Sequence, residues 1–268
     1  MPTNYCLSER LVHDVSLILM LSVLRTLVAL LWSAISCLIA LGLVLCSKRF
    51  IPFVLSRIGR QMWSSNMLRI SGINRPSITF VSEAAHFDRW PKEVIIVSNH
   101  ASQLDINVCS NVIPRPIVYL AKQSIRKVPV LGLLNERVGT VFIDRKNSDS
   151  AKQSVDNLMA SLSNGISVIV YPEGTRSTDG VLLRFKKGAF YLASDANVPV
   201  IPMHVHGTRK VLPKNGFLLR SNPVHVRFGE PVYPSGNSTE AITGLTNACF
   251  DQVSMMRKWH NTNVNTPD

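Results

Sequence analysis

The strongest constraint on the fold of this 268-residue chain is a repeated pattern. Short, β-branched apolar runs alternate with stretches of helical length, and each run breaks at a polar block. The runs are Glu93–Ser98, Pro116–Ala121, Val138–Ile143, Ile166–Tyr171 and Val200–Val205. Their length and composition predict buried strands. Ile78–Val81 and Val224–Phe228 add two flanking strands, and Ala84–Pro91 reads as a loop. Between the third and fourth runs, Ser150–Ser163 sets Val155, Leu158, Met159 and Leu162 on one helical face, and Asn164-Gly165 closes it. Such a succession predicts an α/β fold, a mixed and mostly parallel sheet flanked by helices.

Open α/β sheets place ligands at the carboxyl ends of their strands. Just past the first run stands Asn99-His100-Ala101-Ser102-Gln103-Leu104-Asp105. With a helix starting near Ala101 or Ser102, Asp105 lies about one turn in and can fold back onto the imidazole. That contact fixes the tautomer and leaves the other ring nitrogen free to take a proton from a hydroxyl. Taken alone, the same pair also reads as a helix cap beside a surface charge. The fourth run ends in Tyr171-Pro172-Glu173-Gly174-Thr175-Arg176-Ser177, a turn presenting a carboxylate, a hydroxyl and a guanidinium fork suited to phosphate. The third run ends in Gly139-Thr140-Val141-Phe142-Ile143-Asp144-Arg145, where Arg145 by itself reads as the surface neighbour of Asp144. Asn197–Met203 forms an apolar, proline-containing block, either the wall of an acyl-chain tunnel or an ordinary buried strand.

These four blocks, in this order, resemble the glycerolipid acyltransferase family, in particular its 1-acylglycerol-3-phosphate acyltransferases. The family pattern is Asn-His-x-x-x-x-Asp, then Gly-x-x-Phe-Ile-Asp-Arg, then Glu-Gly-Thr-Arg, then a Pro-rich apolar block. All four stand complete over about 100 residues. The resemblance implies the α/β fold of the glycerol-3-phosphate acyltransferases. It also implies acyl transfer from acyl-CoA or acyl-carrier protein to the sn-2 hydroxyl of lysophosphatidate, giving phosphatidate.

In that chemistry His100 is the general base and Asp105 its support. Arg145 and Arg176 bind phosphate, Gly174 and Thr175 complete the substrate-binding turn, and Lys122 reaches the phosphates of either substrate. Glu173 is unusual in an anion site and is assigned to orienting Arg176 or a substrate hydroxyl. Ser102 lacks the Gly-x-Ser-x-Gly elbow of an acylated nucleophile and reads as a helix cap. No cofactor is implied beyond the acyl donor. His204 and His206 lack a third ligand at metal spacing, so no metal is expected. Alternatives keep the chemistry with another acceptor (lyso-ornithine lipid, another lysophospholipid, glycerol 3-phosphate) or reduce the chain to a non-catalytic lipid-binding membrane protein.

Charge and hydropathy set the location. Lys and Arg number 29 against 17 Asp and Glu, a formal net charge of +12, which calls for an anionic partner. Nucleic acid is a poor choice, with no zinc-finger spacing and only 7% aromatics to stack on bases. Thr26–Cys46 carries no charge and is long enough to cross a bilayer. Either it crosses, with Lys48, Arg49, Arg57, Arg60 and Arg69 holding the catalytic domain on the cytoplasmic face, or it forms a helical pair in one leaflet with Arg25 at the interface. Five cysteines without a Cys-x-x-Cys pair fit a reducing compartment, and Cys109 reads as packing. The expected organisation is a membrane-associated segment (1–47), a helical linker and first strand (48–90), the catalytic core (91–235), and a C-terminal helix with a polar tail (236–268) that frays from Trp259.

Overall fold

The computed structural model describes residues 3–143 and 159–264, with side chains described from Ser16 onward and those of Lys122 and Ile143 left outside. Its strands are β1 (Ser77–Phe80), β2 (Ile95–Ser98), β3 (Ile117–Lys122), β4 (Val141–Ile143), β5 (Ser167–Val170), β6 (Val200–His206) and β7 (His225–Phe228). They form one sheet in the order β1-β7-β6-β2-β5-β3-β4. β2 is parallel to both β5 and β6, β3 to β5, and β4 to β3. β7 turns back antiparallel to β6, and β1 lies parallel to β7. The carboxyl ends of β2 to β6 therefore share one edge.

Both faces of the central strands are buried, which is why they read as unbroken apolar runs rather than as alternations. Ile96, Ile169, Ile201 and Met203 join one core with Val108, Cys109 and Val112 of the Asp105–Val112 helix. Ile95, Val97, Val168 and Val200 join the other, beneath the Gly188–Asp195 and Thr239–Asn263 helices. Each fully buried Val, Ile or Phe stabilises this arrangement by about 1.5–3 kcal/mol. β6 is buried along its whole length between β2 and β7, so Val198–Met203 is a core strand and its neighbourhood. The tunnel-wall alternative for that block is set aside.

The last helix runs on to Asn263 without a break at Trp259. His260 is fully buried, and the Arg227 guanidinium lies 3.9 Å over the Trp259 ring. Packing against β6 and β7 thus orders a stretch whose polarity suggested fraying.

At the other end, the Thr3–Cys46 helix turns at Ser47, whose hydroxyl accepts from Arg49 N–H. The chain then returns along it through Ile51–Phe53, a π-type stretch Val54–Ser64, and Ser65–Ile70. Trp32 Nε1 donates to Met62 O and Trp63 Nε1 to Ser33 Oγ, while Ala40 and Val44 meet Val54. The pair is an antiparallel hairpin. Small residues Ala29, Ser36 and Ala40 line the inner face of the first helix, and large apolar ones such as Leu24, Leu27, Leu30, Leu31 and Leu38 are left exposed on the outer.

Candidate active site

Because β2 lies between β5 and β6, the segments leaving all three strands meet at one point. From β2 comes Asn99, whose side chain accepts from Val205 N–H (2.7 Å) and donates to Val205 O (2.9 Å), stitching the end of β2 to β6. His100 follows, with only 15% of its side chain accessible. Its Nδ1 lies 2.8 Å from Asp105 Oδ2.

Asp105 opens the Asp105–Val112 helix and is fully buried. Its Oδ2 also accepts from the Ala101 and Ser102 N–H groups at 2.8 and 2.9 Å, and its Oδ1 from Thr208 Oγ1 at 2.6 Å. Three donors besides the imidazole, and the positive end of a helix, compensate the carboxylate for losing water. Surrounded by donors, the carboxylate is an acceptor only, so Nδ1 carries the ring proton and Nε2 is left as the acceptor. Thr208 arrives from β6 through Gly207, at φ 91°. A Cβ there would meet Pro223 O at 2.2 Å, so only glycine makes that turn.

From β5 comes the Glu173-Gly174-Thr175-Arg176 turn. Gly174 holds φ 73°, the left-handed conformation that lets the chain reverse. Glu173 departs from the role expected of it. Its Oε1 accepts from His100 N–H at 2.7 Å and its Oε2 from Leu183 N–H at 2.8 Å, so the carboxylate holds backbone rather than Arg176. Burial pushes this carboxyl up to about 7, against the pull of those two N–H groups and of His100. Ser177 N–H donates to His100 O at 2.7 Å, a second link between the two loops. Thr175 is exposed and Arg176 half-buried. Lys214 Nζ donates to Arg176 O (2.6 Å) and lies 3.4 Å from Thr175 Oγ1.

Tyr171 stacks on the His100 ring with centroids 4.1 Å apart and planes at 16°. Its own position is fixed by Cys109 Sγ at 3.5 Å from its hydroxyl, and by Tyr119 stacked behind it. Burial raises the pKa of both the Tyr171 phenol and the Cys109 thiol, so neither offers an anion near neutral pH. Ser102 is buried, donating to Leu212 O at 2.8 Å and accepting from Leu104 N–H, which removes it as a nucleophile.

Arg145 lies outside the described residues, as does most of Ser150–Ser163. Lys122 ends β3 on the shared edge, but its side chain is not described. Lys187 Nζ donates to Thr243 Oγ1, tying it to the last helix. His204 and His206 pack with His225 and His260, His204 Nδ1 at 2.8 Å from His260 Nδ1. Among the described residues no group of His, Cys, Asp and Glu is placed to hold a metal ion. Thr208, Lys214 and Tyr171 escaped the sequence reading. Tyr171 had one local signal, its place directly before Pro172-Glu173. A cavity of about 220 Å³ lies alongside, lined by Gln103, Ile106 and Tyr119 near the site and by Cys37, Ile58 and Trp63 of the hairpin.

The family model described as Acyltransferase matches residues 81–206, the span holding His100, Asp105 and the Glu173–Arg176 turn. This chain carries an acyltransferase-family domain. The domain region is 36% identical over 139 residues to a 1-acyl-sn-glycerol-3-phosphate acyltransferase of Cocos nucifera, covering 52% of this chain and 45% of that protein. It is 34% identical over 156 residues to the human beta form (58% and 56%) and 35% over 166 residues to the Saccharomyces cerevisiae enzyme (60% and 54%). The chain spans about half the length of the curated relatives it matches. Its fold matches the crystal structure of the 1-acyl-sn-glycerophosphate (LPA) acyltransferase PlsC from Thermotoga maritima. The TM-score is 0.69 at 24% identity, over 88% of this chain and 96% of that one. The acyltransferase domain thus has the mostly parallel α/β sheet that its strand pattern predicts.

Proposed function

We propose that this acyltransferase domain moves an acyl group from acyl-CoA or acyl-carrier protein to the sn-2 hydroxyl of 1-acylglycerol 3-phosphate, producing phosphatidate. The observation that carries the reading is the 2.8 Å His100–Asp105 contact at the carboxyl edge of the sheet, in a domain whose relatives are named for this reaction. His100 Nε2 takes the hydroxyl proton as the oxygen attacks the thioester carbonyl. Asp105 supports the imidazolium, and collapse of the tetrahedral adduct expels the thiolate, which recovers the proton from His100. General-base assistance contributes about 10²–10⁴-fold, and positioning and oxyanion stabilisation must supply the rest. Arg176, with Lys214 bracing its backbone, binds the phosphate together with Arg145, whose assignment rests on the sequence motif alone. The apolar cavity beside Gln103 takes the acyl chain.

The domain works on a membrane surface. A helix from Ser16 to Cys46 is long and apolar enough to span a bilayer. However, the hairpin and the domain flank it from Ser22 to Val44, roughly 33 Å of its length and as much as the hydrocarbon core. A perpendicular crossing would draw the domain into the lipid. Residues 3–46 form one continuous helix rather than a pair, and the arrangement favours the hairpin it makes with Ile51–Ile70 lying in one leaflet. The cytoplasmic side is assigned from the basic residues that follow Cys46 and from the cysteine pattern.

Purified full-length protein in detergent micelles, given labelled oleoyl-CoA and lysophosphatidate, is expected to form phosphatidate, and His100→Ala to form none. Turnover by His100→Ala above about a tenth of wild type would overturn the base assignment. Turnover only on another lysolipid or on glycerol 3-phosphate would replace the acceptor.

A further inference from the structure

The segment Leu212–Asn222 joins the catalytic turn to the apolar helix. At its start, Leu212 O accepts from Ser102 Oγ, and Lys214 Nζ donates to Arg176 O. Further on, Phe217 O accepts from Thr26 Oγ1 (3.3 Å) and Leu219 N–H donates to the same hydroxyl (3.2 Å). Ser221 Oγ donates to Gly72 O, fastening the segment to the end of the hairpin. Leu219 is buried in the core, yet Phe217 is 84% exposed, more than any other large apolar side chain described. An aromatic ring held out by a loop pinned on both sides is not a packing residue.

Its surroundings say what covers it. The loop meets the helix at Thr26, between Leu24 and Leu27, whose exposed side chains continue the apolar surface. Basic residues accompany both partners of this contact. Arg25 Nη1 reaches the Gly72–Ser221 contact, and Lys214 and Arg220 belong to the loop itself. Cations beside an exposed aromatic and a run of leucines match a lipid surface, with anionic headgroups at the Arg25 level and acyl chains below. We propose that Phe217 inserts into the bilayer beside the apolar helix, and that the Leu212–Asn222 loop sets the height of the Glu173–Arg176 turn above the lipid. The inference rests on the membrane-surface reading above and adds a second contact to it. A lysolipid acceptor held in the leaflet would then present its phosphate at a fixed depth, which favours orientation over capture from solution.

The test uses the full chain and vesicles of phosphatidylcholine with phosphatidylglycerol. Wild type is expected to float with the vesicles. In Phe217→Trp, the emission added to that of the four native tryptophans is expected to be quenched when acyl chains are brominated near the headgroup. Phe217→Ser is expected to lower transfer to a vesicle-borne acceptor several-fold while leaving transfer to a short-chain, water-soluble acceptor unchanged. Failure of the wild type to float overturns the membrane reading and this proposal together. Flotation with no quenching of the added indole overturns this proposal alone, whatever the activity. Shielding of that indole that rises with protein rather than lipid concentration assigns the surface to a second copy and also overturns it. Equal loss on both acceptors removes the link between loop and catalytic turn.

Discussion

Glu173→Gln is the substitution that most sharply separates this structure from the motif. The native carboxylate offers one oxygen to His100 N–H and the other to Leu183 N–H, at 2.7 and 2.8 Å. Glutamine keeps the shape but has a single oxygen, so its amide NH₂ must face one of the two donors. The orphaned buried N–H costs about 1–3 kcal/mol. If the lost partner is His100, the imidazole's backbone is released and kcat falls about tenfold to a hundredfold, with a smaller change in KM.

The pH dependence gives an independent check. Burial raises the carboxyl from its ordinary 4.5 to about 7. Between those values the folded state binds the proton more tightly than the unfolded chain, so stability falls as pH rises through that window. The loss totals about 3 kcal/mol and levels off above pH 7. Glutamine does not titrate, so that slope should vanish. Thermal melts from pH 4.5 to 8 in detergent, beside kcat and KM for acyl transfer, test both parts. A variant with kcat within twofold of wild type and an unchanged dependence of Tm on pH would refute the argument.

Other substitutions probe the remaining contacts. Asp105→Asn sets an amide against four donors, and kcat should drop at least about 10²-fold with a lower Tm; steady-state rates above a tenth of wild type would dismiss the orientation role. Tyr171→Phe keeps the ring stacked on His100 and should stay within about threefold of wild-type kcat. Tyr171→Leu loses the aromatic face and should fall about tenfold with KM little changed, and equal rates for the two variants would count against the stack. Cys37→Phe narrows the 220 Å³ cavity and should move acyl-donor preference toward shorter chains. An identical chain-length profile in a competition assay would remove that cavity from acyl binding.

Much of this molecule is written locally in its chain. Runs such as Ile95–Val97 and Ser167–Val170 are buried on both faces, so they leave an unbroken apolar signature that identifies strands without a partner in view. The His100–Asp105 contact joins residues five apart, and a strand end followed by a helix start brings them within reach. What the sequence could not show depends on which strands become neighbours. Glu173 touches His100 because β5 lies beside β2, 73 residues away, and Thr208 reaches Asp105 because β6 lies on the other side of β2. A carboxylate in a motif carries no mark of which donor it will meet, so its role could be read only once the sheet order was fixed. The apolar helix makes the same point. Its composition established that it must leave water, but the small-residue face that seats it along the domain, and the loop that carries Phe217 to Thr26, are decided by tertiary packing. Hydrophobicity is a property of the residues present, whereas orientation against a partner is a property of the surfaces that meet.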